Sequence, residues 1–336
     1  MKLAFKIVGG LVLVLVLIIA GFYLYLEATW KKNFSEFPHP AITASKDSSV
    51  IARGEYLANA VAHCAVCHQG GTNMENRAGT ELKLNYSGGH VWDIPMFGKF
   101  VSANLTPDAE TGIGNLSDGL VARVIRNGLD RNGDIAAFMS FAVGPMADED
   151  LTAVISYLRN LPPVANPRPA EKYGLFGKLV GKALNPAIRP PIPKWVPESD
   201  SAKPERGEYL ANGPAACFTC HTEADPMKGF VLVGPRFQGN GHPDPDPVDP
   251  SFELAAPNLT PDPTTGHITS WSEDDFLKRF RTGVVYSGSP MPWESYARMT
   301  EQDIRSLYRY LRSLEPVRHD IGPPRRPKGS WKPAKA

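Results

Sequence analysis

The fold of this chain is decided by two short stretches, Cys64-Ala65-Val66-Cys67-His68 and Cys217-Phe218-Thr219-Cys220-His221. In each stretch two residues separate the cysteines, and a histidine directly follows the second cysteine. The same seven residues precede both, since the stretch from Arg53 to Asn59 recurs from Arg206 to Asn212. The period of this repeat is 153 residues. Self-similarity at a fixed period indicates a duplicated structural unit.

The repeat extends well beyond the cysteine motifs. The block Asn104-Leu105-Thr106-Pro107-Asp108 recurs as Asn258-Leu259-Thr260-Pro261-Asp262, at an offset of 154 residues. The blocks keep their order and nearly constant spacing, so the sequence predicts two tandem domains. We place the first domain at residues 51–164 and the second at residues 206–317, with a proline-rich linker at 165–205 between them.

Two cysteines at this spacing, followed by histidine, form the attachment sequence of c-type haem. The thiols add to the vinyl groups of the porphyrin, and the imidazole faces the iron. A zinc ribbon needs its cysteine pairs about 15–20 residues apart, whereas 149 residues separate Cys67 from Cys217. A redox-active pair needs a strand–helix–strand context, and a structural disulfide does not call for the histidine. The sequence therefore predicts two covalent haem c groups, bound through Cys64, Cys67, Cys217 and Cys220.

The motifs also suggest the axial ligands of the two irons. We expect the neutral imidazoles of His68 and His221 to be the proximal ligands. In a His/Met site the methionine arrives on a loop shortly before the last helix, and Met139 and Met291 occupy that place. The sequence leaves other residues as alternative sixth ligands, any of which could instead be a packing residue. They are Met96 and Met146 in the first domain, Met299 in the second, and the histidines His63, His90 and His242, while Met74 and Met227 are expected to pack.

The N-terminus carries a candidate membrane anchor. Lys2 and Lys6 precede an unbroken apolar run over residues 7–26, long enough as a helix to span roughly 30 Å, the hydrocarbon thickness of a bilayer. The run ends in aromatic residues, which favour the membrane interface, and no small-residue cleavage site follows it. The sequence therefore predicts a retained transmembrane helix within residues 1–30 and a linker at 31–50.

Charge is distributed unevenly along the chain. The total of 36 basic and 35 acidic residues argues against nucleic acid as a partner. The two predicted domains carry net charges of −4 and −5, whereas the linker at 165–205 carries +3 and a basic tail at 318–336 carries +5. Acidic domains suit docking to a basic redox partner. Within the linker, apolar residues at helical spacing over 175–184 predict a short helix that either packs against the domains or rests on the membrane.

Each copy resembles a class I cytochrome c domain, in which a helix, the cysteine motif, a long loop, a methionine and a last helix follow one another. The Asn-Leu-Thr-Pro-Asp blocks and Met291-Pro292-Trp293 are similar to the cytochrome c subunits of bacterial membrane-bound dehydrogenases of alcohols, aldehydes or sugar acids. Those subunits typically have three haem domains, whereas two are predicted here. The resemblance implies an all-α fold of two tandem class I cytochrome c domains behind a transmembrane helix, and no run of alternating strands is evident.

The resemblance also implies a compartment and a function. Haem is attached on the outer side of the bacterial inner membrane, so we expect a single-pass protein with both haem domains in the periplasm. The leading hypothesis is a dihaem c-type cytochrome, not an enzyme, that transfers single electrons between membrane-bound redox partner proteins in a respiratory or photosynthetic chain. The alternative is the electron-accepting cytochrome subunit of a membrane-bound dehydrogenase. A thiosulfate-oxidising dihaem cytochrome is excluded, since it needs an additional cysteine and all four are used by the motifs.

Two covalent haems should therefore remain with the purified protein after acid–acetone extraction. The substitution Cys64→Ala should remove one of the two linkages at the first site and leave the second site intact, which mass spectrometry of haem peptides can resolve. Bound zinc without Soret absorbance would contradict the assignment.

Overall fold

The computed structural model describes residues 2–31, 34–69, 84–135, 139, 143–183, 190–225, 231–286 and 288–331. Its helices are α1 (Lys2–Thr29), α2 (Ser48–Tyr56), α3 (Cys64–His68), α4 (Asp118–Asn127), α5 (Asp148–Arg159), α6 (Leu175–Ala183), α7 (Pro204–Asn212), α8 (Cys217–Cys220), α9 (Glu273–Thr282), α10 (Trp293–Tyr296) and α11 (Glu301–Ser313). A π-helical turn, Leu57–Val61, continues α2. The strands are β1 (Val91–Ile94), β2 (Gly98–Val101), β3 (Lys172–Tyr173), β4 (Ala224–Asp225), β5 (Val231–Leu232), β6 (Asp244–Pro245), β7 (Phe252–Leu254) and β8 (Arg325–Pro327).

Helices dominate the described structure, as the resemblance implies, and short strands accompany them. The strands form three small antiparallel sheets, in the orders β1-β2-β3, β4-β5 and β6-β7-β8. They are two to four residues long, too short for an alternating pattern to be visible in the sequence. β3 comes from the predicted linker and pairs with β2, and β8 comes from the predicted basic tail and pairs with β7.

Two helix pairs form the core, and each pair crosses at a glycine. α2 packs on α5 and α7 packs on α11. A Cβ atom at Gly54 would lie 1.9 Å from the carbonyl oxygen of Ala153, and one at Gly207 would lie 1.9 Å from that of Ser306. Such close backbone approach leaves no room for a side chain, so glycine is required at both crossings.

A buried ion pair accompanies each crossing. The guanidinium of Arg53 lies 2.6 Å from the carboxylate of Asp150, and that of Arg206 lies 2.8 Å from the carboxylate of Asp303. Both aspartate side chains are almost fully buried, at 0% and 2% exposure. Removing one partner of such a pair leaves an uncompensated buried charge, which is strongly destabilising.

The two repeats contact each other through a tyrosine of each repeat that binds an aspartate of the other; we call this reciprocal contact the tyrosine exchange. The hydroxyl of Tyr56 donates to Asp303 over 2.8 Å, and the hydroxyl of Tyr209 donates to Asp150 over 2.6 Å. Each hydroxyl also accepts from a backbone N–H at the start of the other repeat's last helix. Burial and the neighbouring carboxylate raise the pKa of both tyrosines, so that the hydroxyls remain protonated donors. The contact is reciprocal, because each repeat supplies one tyrosine and one aspartate.

Residues 34–47 are bound to the first repeat, although the sequence predicts a linker at 31–50. Ile42 is 7% exposed and belongs to the core. The backbone N–H of Ala44 donates to the carboxylate of Asp118 over 2.8 Å. The described part of this segment therefore lies along the first repeat.

Helix starts follow the signals in the sequence. Ser272 and Asp275 form a capping box at the start of α9, with hydrogen bonds in both directions. The side chain of Thr300 caps α11 by accepting from the backbone N–H of Asp303. The predicted linker helix is present as α6, while residue 184, its predicted last residue, lies outside the described residues.

The substitutions Gly54→Ala and Gly207→Ala should each lower the free energy of unfolding by about 1–3 kcal/mol, because the added methyl group must force two helices apart. The matched control is Gly241→Ala, where a Cβ atom would meet its nearest neighbour at an ordinary 3.5 Å. Denaturant unfolding of the three variants measures the difference. Equal stability of Gly54→Ala and the control would contradict the tight crossing.

Candidate haem sites

Each cysteine motif begins a new helical turn after a sharp change of chain direction. His63 and Ala216 directly precede the first cysteines and adopt the left-handed conformation, with φ of 42° and 52°. α3 carries the whole first motif, and α8 carries the two cysteines of the second, with His221 as its C-cap. Because residues three apart are neighbours on a helix, the two thiols of each motif face the same side.

Three of the four cysteines are partly buried and Cys220 is exposed, and the thiols do not resemble a redox-active pair. None of the four cysteines, all of them described, forms a disulfide. Burial and the neighbouring thiol of Cys67 raise the pKa of Cys64 to about 12, and burial and the thiol of Cys220 raise that of Cys217 to about 12. Redox-active thiols have a lowered pKa. Among the described residues no three His, Cys, Asp or Glu side chains are placed to hold a bare metal ion. Two thiols on one helical turn, directly followed by an imidazole, fit covalent attachment of a prosthetic group.

The two motif histidines are buried, and each is held through Nδ1. The Nδ1 atom of His68 lies 2.7 Å from the carbonyl oxygen of Ala103, and the Nδ1 atom of His221 lies 2.9 Å from the carbonyl oxygen of Pro257. A carbonyl oxygen only accepts, so we assign the proton to Nδ1, which leaves the Nε2 lone pair for a metal. Burial lowers the pKa of both histidines, that of His221 to about 4. Both imidazoles are therefore neutral near pH 7, as a metal ligand must be.

The long loop of each repeat returns to its motif histidine through a glycine. The N–H of Gly88 donates to the carbonyl of His68 over 2.8 Å, and the N–H of Gly239 donates to that of His221 over 2.9 Å. A Cβ atom at Gly88 would lie 2.3 Å from the oxygen of Ala103, which also accepts from His68. This close approach holds the loop against the imidazole.

The repeated asparagine of the Asn-Leu-Thr-Pro-Asp block fixes the same loop to the end of its repeat. The amide nitrogen of Asn104 donates to the carbonyl of Val164 over 2.7 Å, and that of Asn258 donates to the carbonyl of Val317 over 2.8 Å. From the sequence, this block marks the repeat and carries part of the family resemblance, but its structural contact is not predicted. The recurrence of the block in both repeats is the sequence signal that could have indicated its structural role.

The four methionines near the last helices fall into two groups. Met146 and Met299 are each 1% exposed and belong to the hydrophobic core. Met139 and Met291 are partly buried and pack at the edge of that core. The chain turns tightly after Met291, where the N–H of Trp293 donates back to the Met291 carbonyl over 2.8 Å.

The other residues left open as ligands lie in varied surroundings. Met96 is 64% exposed in the turn between β1 and β2. Met74 and Met227 lie outside the described residues. The three histidines contact other side chains: His90 lies edge-on to Trp92, His63 lies edge-on to Tyr296, and His242 lies 3.1 Å from the carboxylate of Glu223.

Arg126 offers a test of whether an anionic group fits the first site. This guanidinium is buried, pairs with Asp148 at 2.5 Å and donates to the carbonyl of Met146 over 2.7 Å. Its Nε has no hydrogen-bond partner among the described residues. A buried guanidinium with a donor to spare suits a carboxylate such as a haem propionate. The repeat counterpart, Arg281, is exposed and donates to the carbonyl of Ala297.

Comparison with known proteins confirms the resemblance expected from the sequence. No family model matches the chain. The cytochrome c subunit of alcohol dehydrogenase (quinone) from Gluconacetobacter polyoxogenes is 30% identical over 297 residues, which cover 82% of this chain and 58% of the relative. The gluconate 2-dehydrogenase cytochrome c subunit of Pantoea cypripedii is 28% identical over 80% of this chain and 60% of its own length. A dihaem c-type cytochrome of Cereibacter sphaeroides is 26% identical over 93% of this chain and 99% of its own length.

These relatives differ in length from the chain in an informative way. The chain spans less than two thirds of the two dehydrogenase subunits, whereas 93% of it matches 99% of the dihaem cytochrome.

The substitution Met291→Ala should lower the potential of one haem and open its iron to carbon monoxide, because a thioether ligand favours the ferrous state. The matched control is Met299→Ala, which should cost about 2–5 kcal/mol of stability, as buried methionine truncations do, and leave the spectrum unchanged. Redox titration followed by absorption measures both. A spectral change in the control alone would move the ligand to Met299.

Proposed function

We propose that the chain binds two haem c groups, one in each of two cytochrome c domains. The observation that carries this proposal is the repeated motif in which two thiols on one helical turn precede a buried imidazole held through Nδ1. When bound, each haem iron would accept and release a single electron. The residues proposed to hold the haems are Cys64, Cys67 and His68 in the domain at 51–164, and Cys217, Cys220 and His221 in the domain at 206–317.

For the sixth ligands we propose Met139 and Met291. Both lie before the last helix of their repeat and are less buried than Met146 and Met299. The side chains of Met146 and Met299 are packed within the core. Those of Met139 and Met291 lie at its edge and can turn towards a bound group.

The chain is proposed to act as an electron relay and to have no catalytic residues of its own. The tyrosine exchange between repeats holds the two proposed domains in one arrangement, so that an electron can pass between them without a collision. The similarity to subunits named as cytochromes supports a carrier rather than a catalyst. Acidic surfaces on both domains suit a basic, membrane-bound redox partner.

We propose that α1 anchors this relay in the bacterial inner membrane with both domains in the periplasm. Phe5–Thr29 is long and apolar enough to cross a bilayer, and its spanning window is not buried within the protein. At its C-terminal end α1 is joined to the rest of the chain, where Glu27 pairs with Lys178 of α6.

A second candidate is the electron-accepting cytochrome subunit of a membrane-bound dehydrogenase. The observation in its favour is that relatives from Gluconacetobacter and Pantoea are named as such subunits. Under this proposal the electron donor would be a dehydrogenase that oxidises an alcohol, an aldehyde or a sugar acid.

Inner-membrane vesicles that contain the full chain distinguish the candidates. Substrates that generate quinol should reduce both haems, as seen by absorption. Replacing residues 1–30 by a cleavable signal should give a spectrally normal protein that is reduced more slowly in the vesicles, because it loses the effective concentration of the tether. Salt should slow it further.

Reduction only on addition of an alcohol, aldehyde or sugar acid would favour the dehydrogenase subunit. If no donor in the vesicles reduced the haems, electron transfer itself would be contradicted. Equal rates for the anchored and released forms would contradict a functional anchor.

A further inference from the structure

A group of exposed apolar side chains lies on the hairpin β1–β2 and on the adjoining start of α6. We call this group the hairpin patch. Its members are Ile94, Met96, Leu175 and Phe176, which are exposed to 37%, 64%, 41% and 41%. Large apolar side chains that cluster on a surface mark a site of contact with another molecule or with a membrane.

The tip of the hairpin presents its methionine at a conformational cost. Met96 has φ of 66°, in the left-handed region that favours glycine and asparagine. A strained backbone that displays an exposed apolar side chain is a signal of function, since a polar turn residue would be both more soluble and less strained.

Helix α6 holds the hairpin tip through two glycines. A Cβ atom at Gly174 would lie 2.2 Å from the carbonyl oxygen of Met96, and one at Gly177 would lie 2.1 Å from that of Phe97. The hairpin and α6 therefore touch backbone to backbone and form one continuous surface. The sequence predicts that α6 either packs against the domains or rests on the membrane. The two predictions are compatible, because one side of α6 packs on the protein while its first turn stays exposed.

The hairpin patch lies at the level of the last turns of α1. Lys178 of α6 pairs with Glu27 of α1, and its ammonium group lies 5.8 Å from the ring of Tyr23. Trp30, just after α1, stacks against Tyr173 of β3 with ring centroids 4.8 Å apart. Tyrosine and tryptophan at the end of an apolar span favour the boundary between lipid and water.

We propose that the hairpin patch enters the outer interfacial layer of the same bilayer that α1 spans. Lipid is the occupant because the patch is continuous with the span through α6, and because the aromatic residues around Trp30 lie at that boundary. This proposal rests on the proposed membrane anchor. It goes further, since it makes the first haem domain a membrane-seated unit with a fixed face towards the lipid.

Site-directed spin labelling of the full chain in liposomes tests this seating. The native cysteines are taken up by haem attachment, so the chain without an added cysteine should take no label. Labels are placed at Met96→Cys and Phe176→Cys, with Leu15→Cys as the position within the span and Val285→Cys, 63% exposed in the native chain, as the aqueous control. Collisions with oxygen and with a water-soluble nickel chelate are compared in the reduced protein.

The ratio of oxygen to nickel accessibility at positions 96 and 176 should be several-fold higher than at 285 and lower than at 15. A lipid-like value at 15 with water-like values at both 96 and 176 would overturn the seating and leave the anchor intact. A water-like value at 15 would overturn both. Protection of 96 and 176 from both reagents would indicate a protein partner and also overturn the proposal.

Discussion

The close crossing of two helices at a glycine is the constraint on which the rest of the structure depends. α2 and α7 approach the last helices so tightly at Gly54 and Gly207 that a methyl group does not fit. The cysteine motif follows the first helix of each pair, and the last helix follows the methionine loop. The crossing therefore fixes both ends of the loop that surrounds the motif histidine, while the glycine and asparagine contacts fix its middle.

Because the unit is duplicated, residues beside this crossing also form the contact between the two repeats. Arginine and tyrosine three residues apart lie on one face of a helix. The arginine binds the aspartate of its own repeat, and the tyrosine binds the aspartate of the other. Because both repeats carry the same block, the contact is self-complementary, as in a symmetric dimer. If each repeat binds a haem as proposed, this contact would allow an electron to pass between them within one molecule.

The sequence predicts the local features of this structure well and the non-local ones poorly. The cysteine motifs, the capping box at Ser272 and the apolar span are each encoded within a few consecutive residues. The strand pairing of Gly98 with Tyr173 joins distant segments and leaves no periodic signal. The docking of residues 34–47 depends on a carboxylate of α4, and the tyrosine exchange depends on how two copies meet. At the candidate sites, the imidazoles are evident from the motif, whereas the carbonyl groups that orient them emerge only from the fold.

With the two proposed haems bound, an electron should pass from one to the other within a single molecule, and pulse radiolysis of the full chain in detergent measures this transfer. A pulse should deliver less than one electron per molecule, and absorption should follow the redistribution between the two haems. We expect a first-order rate that does not change with protein concentration. A rate proportional to protein concentration would mean that electrons move only between molecules, and would contradict the account.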